Sequence, residues 1–276
     1  EEGRRILGVS KGKLKIISGE FVGAGNYTNG SRTYYTLKGQ KGYINGIEEL
    51  NKISAIFGHG KGAEKATSIT AEDINEITGY DPATAKCEEG NFNEYGNKVT
   101  YTKEGETKLS SSATNGQKWS GTQNTLNYYD KSNKTFKTLT SGSTQITSTF
   151  YYYNPTTLNT KQEKPTQGVD ENGVYNTIYQ ILFGKYAVNK DSYEISFVGT
   201  GTQPRYWLAS ESALTVKNGV TWGLRRVNDG KVLNRGIFFS TGTEYSYDDF
   251  GVRPIVYLKS DISLEWNNTL QKWKIK

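Results

Sequence analysis

What most limits how this chain can fold is a pair of strand-like segments, Arg205-Tyr-Trp-Leu-Ala-Ser210 and Gly251-Val-Arg-Pro-Ile-Val-Tyr-Leu-Lys-Ser260. Short runs of bulky apolar and aromatic residues bounded by turn formers need a sheet with at least one covered face. The two are read as strands of one small sheet. Val252, Val256 and Leu258 alternate toward a core, while Arg253 and Tyr257 face the other way. Gly251 permits tight approach at the start of its strand, and Pro254, lacking a backbone donor, is expected at a bulge or an edge. Arg253 is expected to order the adjoining loop by pairing with Asp248 or Asp249. The stretch between the two segments is dense in Trp, Tyr, Arg, Asn and Asp, which suits recognition better than catalysis.

The rest of the chain supplies partners for that sheet. Arg5–Val9 and Leu14–Ile17, separated by Ser10-Lys-Gly-Lys13, predict a β-hairpin. Ile44, Ile47, Leu50, Ile53 and Phe57 recur at helical spacing and predict an amphipathic helix ended by Gly58. Thr70-Ala-Glu-Asp73 is a near-capping box for a second helix carrying Ile74 and Ile77 and closed by Gly79. A third helix is expected over 174–187, with Gly184 ending it. Strands are expected at Tyr193–Phe197, Val220–Val227 and Gly236–Phe239, with Asn228-Asp-Gly230 as a turn, and a last hairpin spans Ile262–Ile275. Residues 83–170 differ: Ser, Thr, Asn, Gly, Lys and Tyr dominate. They read as an insertion with short strands near 98–102 and 144–153, held in the fold because Trp119 and the tyrosines need packing partners.

Composition closes several functional classes. One Cys (Cys87) and one His (His59) leave no disulfide framework and make Ser-His-Asp triads, Cys-His dyads and His-based zinc sites poor candidates. A secreted protein of this type must be stabilised without disulfide staples. The net charge of +6 comes from 34 basic and 28 acidic residues dispersed along the chain, a pattern unlike a nucleic-acid-binding face. Lys13, Lys15, Lys38 and Lys41 read as solvated positions. With a mean hydropathy of −0.69 there is no apolar run long enough for a membrane span, and no signal peptide is expected in it. A chain starting at Glu1 without Met is expected to be a processed or truncated product. No cofactor or metal is expected.

The order of hairpin, two helices, irregular middle, then strands bearing Tyr206-Trp-Leu-Ala-Ser210 and Gly251-Val-Arg-Pro254 resembles the C-type-lectin-like fold. The variant resembled is the formylglycine-generating-enzyme type, as in bacterial surface and prepilin-like proteins and in phage or retroelement variable proteins. The resemblance covers 1–80 loosely and 174–260 better. It implies an α+β fold in one domain, 1–276, with two N-terminal helices, a small twisted antiparallel sheet joining both termini, and long loops displayed from it, the 83–170 insertion among them. The oxidase activity of that fold type needs paired cysteines, which this chain lacks. Gln203-Pro-Arg205 and Glu265-Trp-Asn-Asn268 depart from the calcium-binding lectin motifs, so a calcium-held sugar is not expected.

The resulting expectation is a non-enzymatic extracellular bacterial surface or filament protein that recognises protein or glycan on a cell surface. Tyr, Asn, Ser and Gly in display loops combine aromatic area with adaptable hydrogen bonding. Trp222, Arg226, Asn228, Asn234, Tyr245, Tyr247 and Asp248 are the candidate contact residues; Trp222 alternates with Leu224 and could equally be core. Alternatives are a phage or retroelement-diversified receptor-binding protein, a self-assembling subunit of an extracellular polymer, and a glycosidase using carboxylates among Glu72, Asp73, Glu244, Asp248 and Asp249.

Overall fold

The computed structural model describes residues 4–10, 12–19, 27–29, 32–60, 62–79, 100–102, 118–123, 125–130, 133–140, 146–151, 168–189, 191–192, 194–200, 203–216, 219–247 and 250–275. The fold is α+β. Strands β1 (Arg4–Ser10) and β2 (Lys13–Ser18) form the expected hairpin, with Gly12 at φ 73° in its turn. Beside β2 lies β18 (Pro254–Leu258), then β6 (Ala63–Ser68), so one antiparallel sheet of order β1-β2-β18-β6 ties the N-terminal hairpin to a strand near the C-terminal end. A second antiparallel sheet is made by β14 (Tyr206–Val216), β15 (Gly219–Asn228) and β16 (Lys231–Phe239). Asp229 and Gly230 take φ values of 52° and 72° between β15 and β16, the two left-handed positions that a tight hairpin turn requires.

The segments 205–210 and 251–260 therefore belong to different sheets. Both edges of β18 are taken, by β2 and by β6, which leaves β14 no ladder to join. Backbone pairing between the two segments is confined, among the described residues, to Gly251, which makes a parallel bridge to Tyr206: its N–H donates to the Arg205 carbonyl at 2.9 Å and its carbonyl accepts from Trp207 N–H at 3.0 Å. Pro254 is neither at an edge nor at a bulge. It is the first residue of an internal strand, and the β2 ladder begins one residue later at Ile255, where an N–H is available. Nor is β18 one-faced: Ile255 packs with Leu7, Ile17 and Leu208, and Val256 and Leu258 pack with Ala66 on the opposite side.

Helix α1 (Gly39–Ala55) buries Tyr43, Gly46, Leu50 and Ser54, a line rotated from the one centred on Ile44. Glycine at 46 lets the helix approach the second sheet, since a Cβ there would lie 3.0 Å from a Leu224 methyl. The helix runs into a tighter turn, Ile56–His59, and the chain leaves it at Gly60, past the expected stop at Gly58. Helix α2 (Ala71–Thr78) has the full reciprocal capping box, in which the Thr70 hydroxyl accepts from Asp73 N–H and the Asp73 carboxylate accepts from Thr70 N–H, and Gly79 closes it at φ 68°. Helix α3 is shorter than expected, Thr177–Phe183, capped by Asn176 and ended by Gly184. The flanks of that region go elsewhere: Val174 bridges Ala187, and β12 (Tyr186–Val188) pairs with β13 (Ile195–Phe197).

Within 83–170, β7 (Thr100–Thr102), β8 (Lys118–Gln123) and β11 (Ile146–Tyr151) form one small sheet, and both stretches expected to be extended contain strands. The hairpin of β9 (Thr125–Asp130) and β10 (Thr135–Thr140) was not foreseen. It enters the main core. Phe136 lies 4.6 Å from Phe238 and 5.2 Å from Trp222, ring to ring, and Tyr129 meets Tyr43 edge-on at 4.8 Å. Asn127 fixes the hairpin to the end of β16, donating from its backbone and side-chain nitrogens to the Ser240 carbonyl.

Two buried charges correct the sequence reading. Lys15 is not solvated but sits under α2 with an exposure of 3%. Arg253, also 3% exposed, donates to the carbonyl oxygens of Ser18 and Leu182, each at 3.1 Å, and lies over the Tyr206 ring. Its expected partners Asp248 and Asp249 fall outside the described residues. Arg253 therefore ties β2, α3 and β14 together, because carbonyls at strand and helix ends can take the fork of donors that a guanidinium offers.

Candidate functional site

The expected contact residues separate by strand parity. Trp222 and Leu224 point toward α1, and Trp222 is 6% exposed among Phe136 and Phe238. It is core, so its assignment as a contact residue is corrected. Asn228 is buried as well, at the β15–β16 turn, with its amide nitrogen on the Asp229 carboxylate. Asp248 lies outside the described residues. Arg226 and Arg235 face the same side of the sheet, since each pairs across the ladder with a residue of that face, Arg226 with Leu233 and Arg235 with Leu224. Asn234, paired with Arg225, points to the opposite side and contributes its carbonyl, which accepts from Arg226 Nε at 3.5 Å.

On the α1-facing side the arginines seat on aromatic rings. Arg226 covers Phe250 at 4.7 Å, and Arg235 lies 3.6 Å above the centre of the Tyr247 ring. Tyr247 in turn stacks on Tyr245 at 6.2 Å with the planes 25° apart, leaving Tyr245 41% exposed. The segment β17 (Ser246–Tyr247) that carries the stack is held by pairing with β5 (Leu37–Lys38). A layered cation and two rings, clamped by backbone, give Tyr245 a fixed open face. Arg235 was missed by the sequence reading, although its alternation with Leu233 on a strand next to an aromatic loop could have found it.

The stack adjoins a cleft of about 620 Å³ between β5 and the start of α1, lined by Tyr35, Lys38, Lys41, Asn45, Glu49 and Glu244 among others. Its position follows from one glycine. Gly39, at φ 53°, turns the chain from β5 into α1, and a Cβ there would lie 2.4 Å from the Glu244 carboxyl. Glu244 thereby reaches the helix start and accepts from Gln40 N–H at 3.3 Å, while Gly39 N–H donates to the Tyr245 carbonyl. The floor is anchored from the core, because Trp207 Nε1 donates to the Tyr35 carbonyl at 2.8 Å and Tyr35 N–H to the Phe250 carbonyl. Burial, reinforced by the charge of Glu49, pushes the Tyr35 phenol up, with Lys52 offsetting part of it. The phenol stays a neutral hydrogen-bonding group at ordinary pH.

The carboxylates considered for hydrolysis have other engagements. Glu72 accepts from Ser210 Oγ at 2.9 Å, and that hydroxyl accepts from Ala71 N–H, so Glu72 secures α2 to β14. Asp73 caps α2 and holds Lys15; Glu244 caps α1. Among the described residues, no group of three or more His, Cys, Asp or Glu side chains is placed to hold a metal ion, and no helix is long and apolar enough to cross a membrane.

Compared with known proteins, the chain matches no protein-family model, no curated protein and no solved structure.

Proposed function

We propose that this is a non-enzymatic recognition protein of a bacterial surface or filament, with a C-type-lectin-like scaffold that presents the Tyr245 face and the adjoining cleft to a glycan or protein on another cell. The observation carrying this reading is the Arg235–Tyr247–Tyr245 stack: an aromatic face held at 41% exposure by a backbone-paired segment, beside a cleft of mixed polar side chains. Such a face gives contact area at low entropic cost, and amides, lysines and carboxylates around it supply direction. The C-type-lectin-like assignment is supported by the sheet joining the N-terminal hairpin to β18 and by the display of the 240–247 loop from the second sheet. Binding is favoured over hydrolysis because Glu72, Asp73 and Glu244 each serve a helix start or a packing contact.

The test is a screen of the whole chain on glycan and cell-surface-protein arrays, followed by Tyr245→Ala and Arg235→Ala. Binding should weaken by roughly 30-fold for a hot-spot tyrosine with the circular dichroism spectrum unchanged. Undiminished binding by both variants would place the site elsewhere.

Self-assembly is a second reading, favoured by the C-terminal ribbon of β19 (Leu264–Asn267) and β20 (Lys272–Ile275). Trp266 and Trp273 meet across it at 5.4 Å and are 41% and 52% exposed. Sedimentation of the whole chain over a concentration series tests it, and a monomer throughout would end it.

A further inference from the structure

The Lys15 ammonium is the most enclosed cation whose acidic partners are described. Its side chain is 4% exposed, that of Asp73 is 7% exposed, and Nζ lies 2.7 Å from Asp73 Oδ1 and 3.5 Å from Glu76 Oε2. The Tyr257 ring covers it at 5.2 Å, and Ser10 Oγ donates to the same Glu76 oxygen. Both reacting groups ride on fixed elements. β2 is paired on both edges, and Asp73 sits in the first turn of a doubly capped helix.

We propose that Lys15 and Asp73 become joined by an amide between Nζ and Cγ, formed by the folded protein itself with Glu76 as proton relay. A contact of 2.7 Å to Oδ1 leaves Nζ about 3.5 Å from Cγ, within the range of a near-attack geometry. Burial works against the Lys15 ammonium, and the hydrogen bond and charge of Asp73 more than offset it, so the reactive amine forms transiently, by transfer of one proton along that hydrogen bond to Oδ1. The amine lone pair attacks Cγ. Oδ2 takes the developing negative charge, and it already accepts from Thr70 N–H at 2.9 Å and Thr70 Oγ1 at 2.8 Å, two donors aimed where an oxyanion forms. Glu76 then carries a proton from nitrogen to Oδ1, which departs as water. One N–C bond forms and one C–O bond breaks; an ammonium and a carboxylate become an amide and one water, with no change in oxidation state. Glu76 is 45% exposed, so the water has a way out. Oδ2 remains as the amide oxygen, which keeps the Thr70 hydrogen bonds and with them the start of α2.

Function follows from where the bond lies. It would staple β2 to α2 across 58 residues of chain, replacing the disulfides that one cysteine cannot provide.

The test is the mass of the purified whole chain under denaturing conditions, which is expected to fall short of the sequence mass by one water. Digestion and fragmentation should then yield a branched peptide joining the segment of Lys15 to that of Asp73. Glu76→Gln is expected to show the full sequence mass while keeping the wild-type circular dichroism spectrum, and Asp73→Ala should show the full mass whether or not it folds. A wild-type chain of full mass, a water loss mapped to any other site, or an unbranched Lys15 peptide would each overturn the proposal.

Discussion

Replacing Trp222 with alanine separates scaffold from recognition surface most directly. Trp222 is 6% exposed and touches Phe136 and Phe238. Removing a buried indole withdraws roughly 200 Å² of apolar area, about 5 kcal/mol by transfer, and measured Trp→Ala and Phe→Ala changes in cores fall at about 3–5 kcal/mol. The cavity would open between the β9–β10 hairpin, which reaches Trp222 through Phe136, and the second sheet, so neither side can close it alone. We expect about 4 kcal/mol of lost stability, equivalent to a fall in Tm of roughly 10 °C for a chain of this size. Tyr245→Ala is the control. Its ring is 41% exposed and meets only Tyr247 among the described ring contacts, so it should cost about 1 kcal/mol at most. Calorimetry and urea unfolding of both variants, with binding measured alongside, decide the matter. A Trp222→Ala variant that melts with the wild type, or a Tyr245→Ala variant that loses as much stability as Trp222→Ala, would refute Trp222 as core and Tyr245 as surface.

Gly223→Ala should be more severe than its size suggests, because its Cβ would lie 1.7 Å from the Arg235 carbonyl oxygen. Backbone cannot yield without opening β15–β16, so urea unfolding should register a loss of at least about 3 kcal/mol, and a near-neutral result would contradict the register. Arg253→Met removes two charge-assisted bonds to carbonyls and should lower stability by about 2 kcal/mol, read as a lower urea midpoint; an unchanged midpoint would show that it does not tie those elements together. Burial pushes the phenols of Tyr43, Tyr186 and Tyr206 up, with Glu211 adding at Tyr43, Asp229 adding at Tyr186 and Arg253 opposing at Tyr206. Their folded pKa values thus exceed the unfolded value near 10, so the stability they contribute is complete below about pH 10 and is lost as pH rises further. In an alkaline titration these phenolates should form only together with loss of the near-ultraviolet dichroism, and free titration of every tyrosine before unfolding would refute this.

Local signals were readable where the chain's own backbone chemistry decides the outcome. The β1–β2 hairpin, the capping box at Thr70, the Asn228-Asp-Gly230 turn and the glycine stop of α3 each depend on residues within a few positions of one another. The β9–β10 hairpin was not readable, because its polar residues look like loop until Phe136 and Tyr129 find a core contributed by distant segments. Of the candidate site, Tyr245 and Tyr247 were legible from composition, while burial of Trp222 and Asn228 and the turning away of Asn234 were not. Parity along a strand is visible in sequence, but which face meets solvent is not.

The strand pair at 205–210 and 251–260 shows where that boundary falls. Sequence alone determined that both segments are extended and buried, since apolar alternation and a proline that cannot donate leave few other states. Only tertiary structure decided that they lie in different sheets: β2 and β6 take both edges of β18, and backbone pairing with β14 is left to Gly251. Likewise sequence offered Lys15 as a solvated position and Asp73 as a helix-capping residue, with no sign of Glu76 beside them. Their meeting under α2 depends on a sheet pairing and a helix packing that no local pattern encodes, because desolvation is a property of the assembled neighbours and not of the residue.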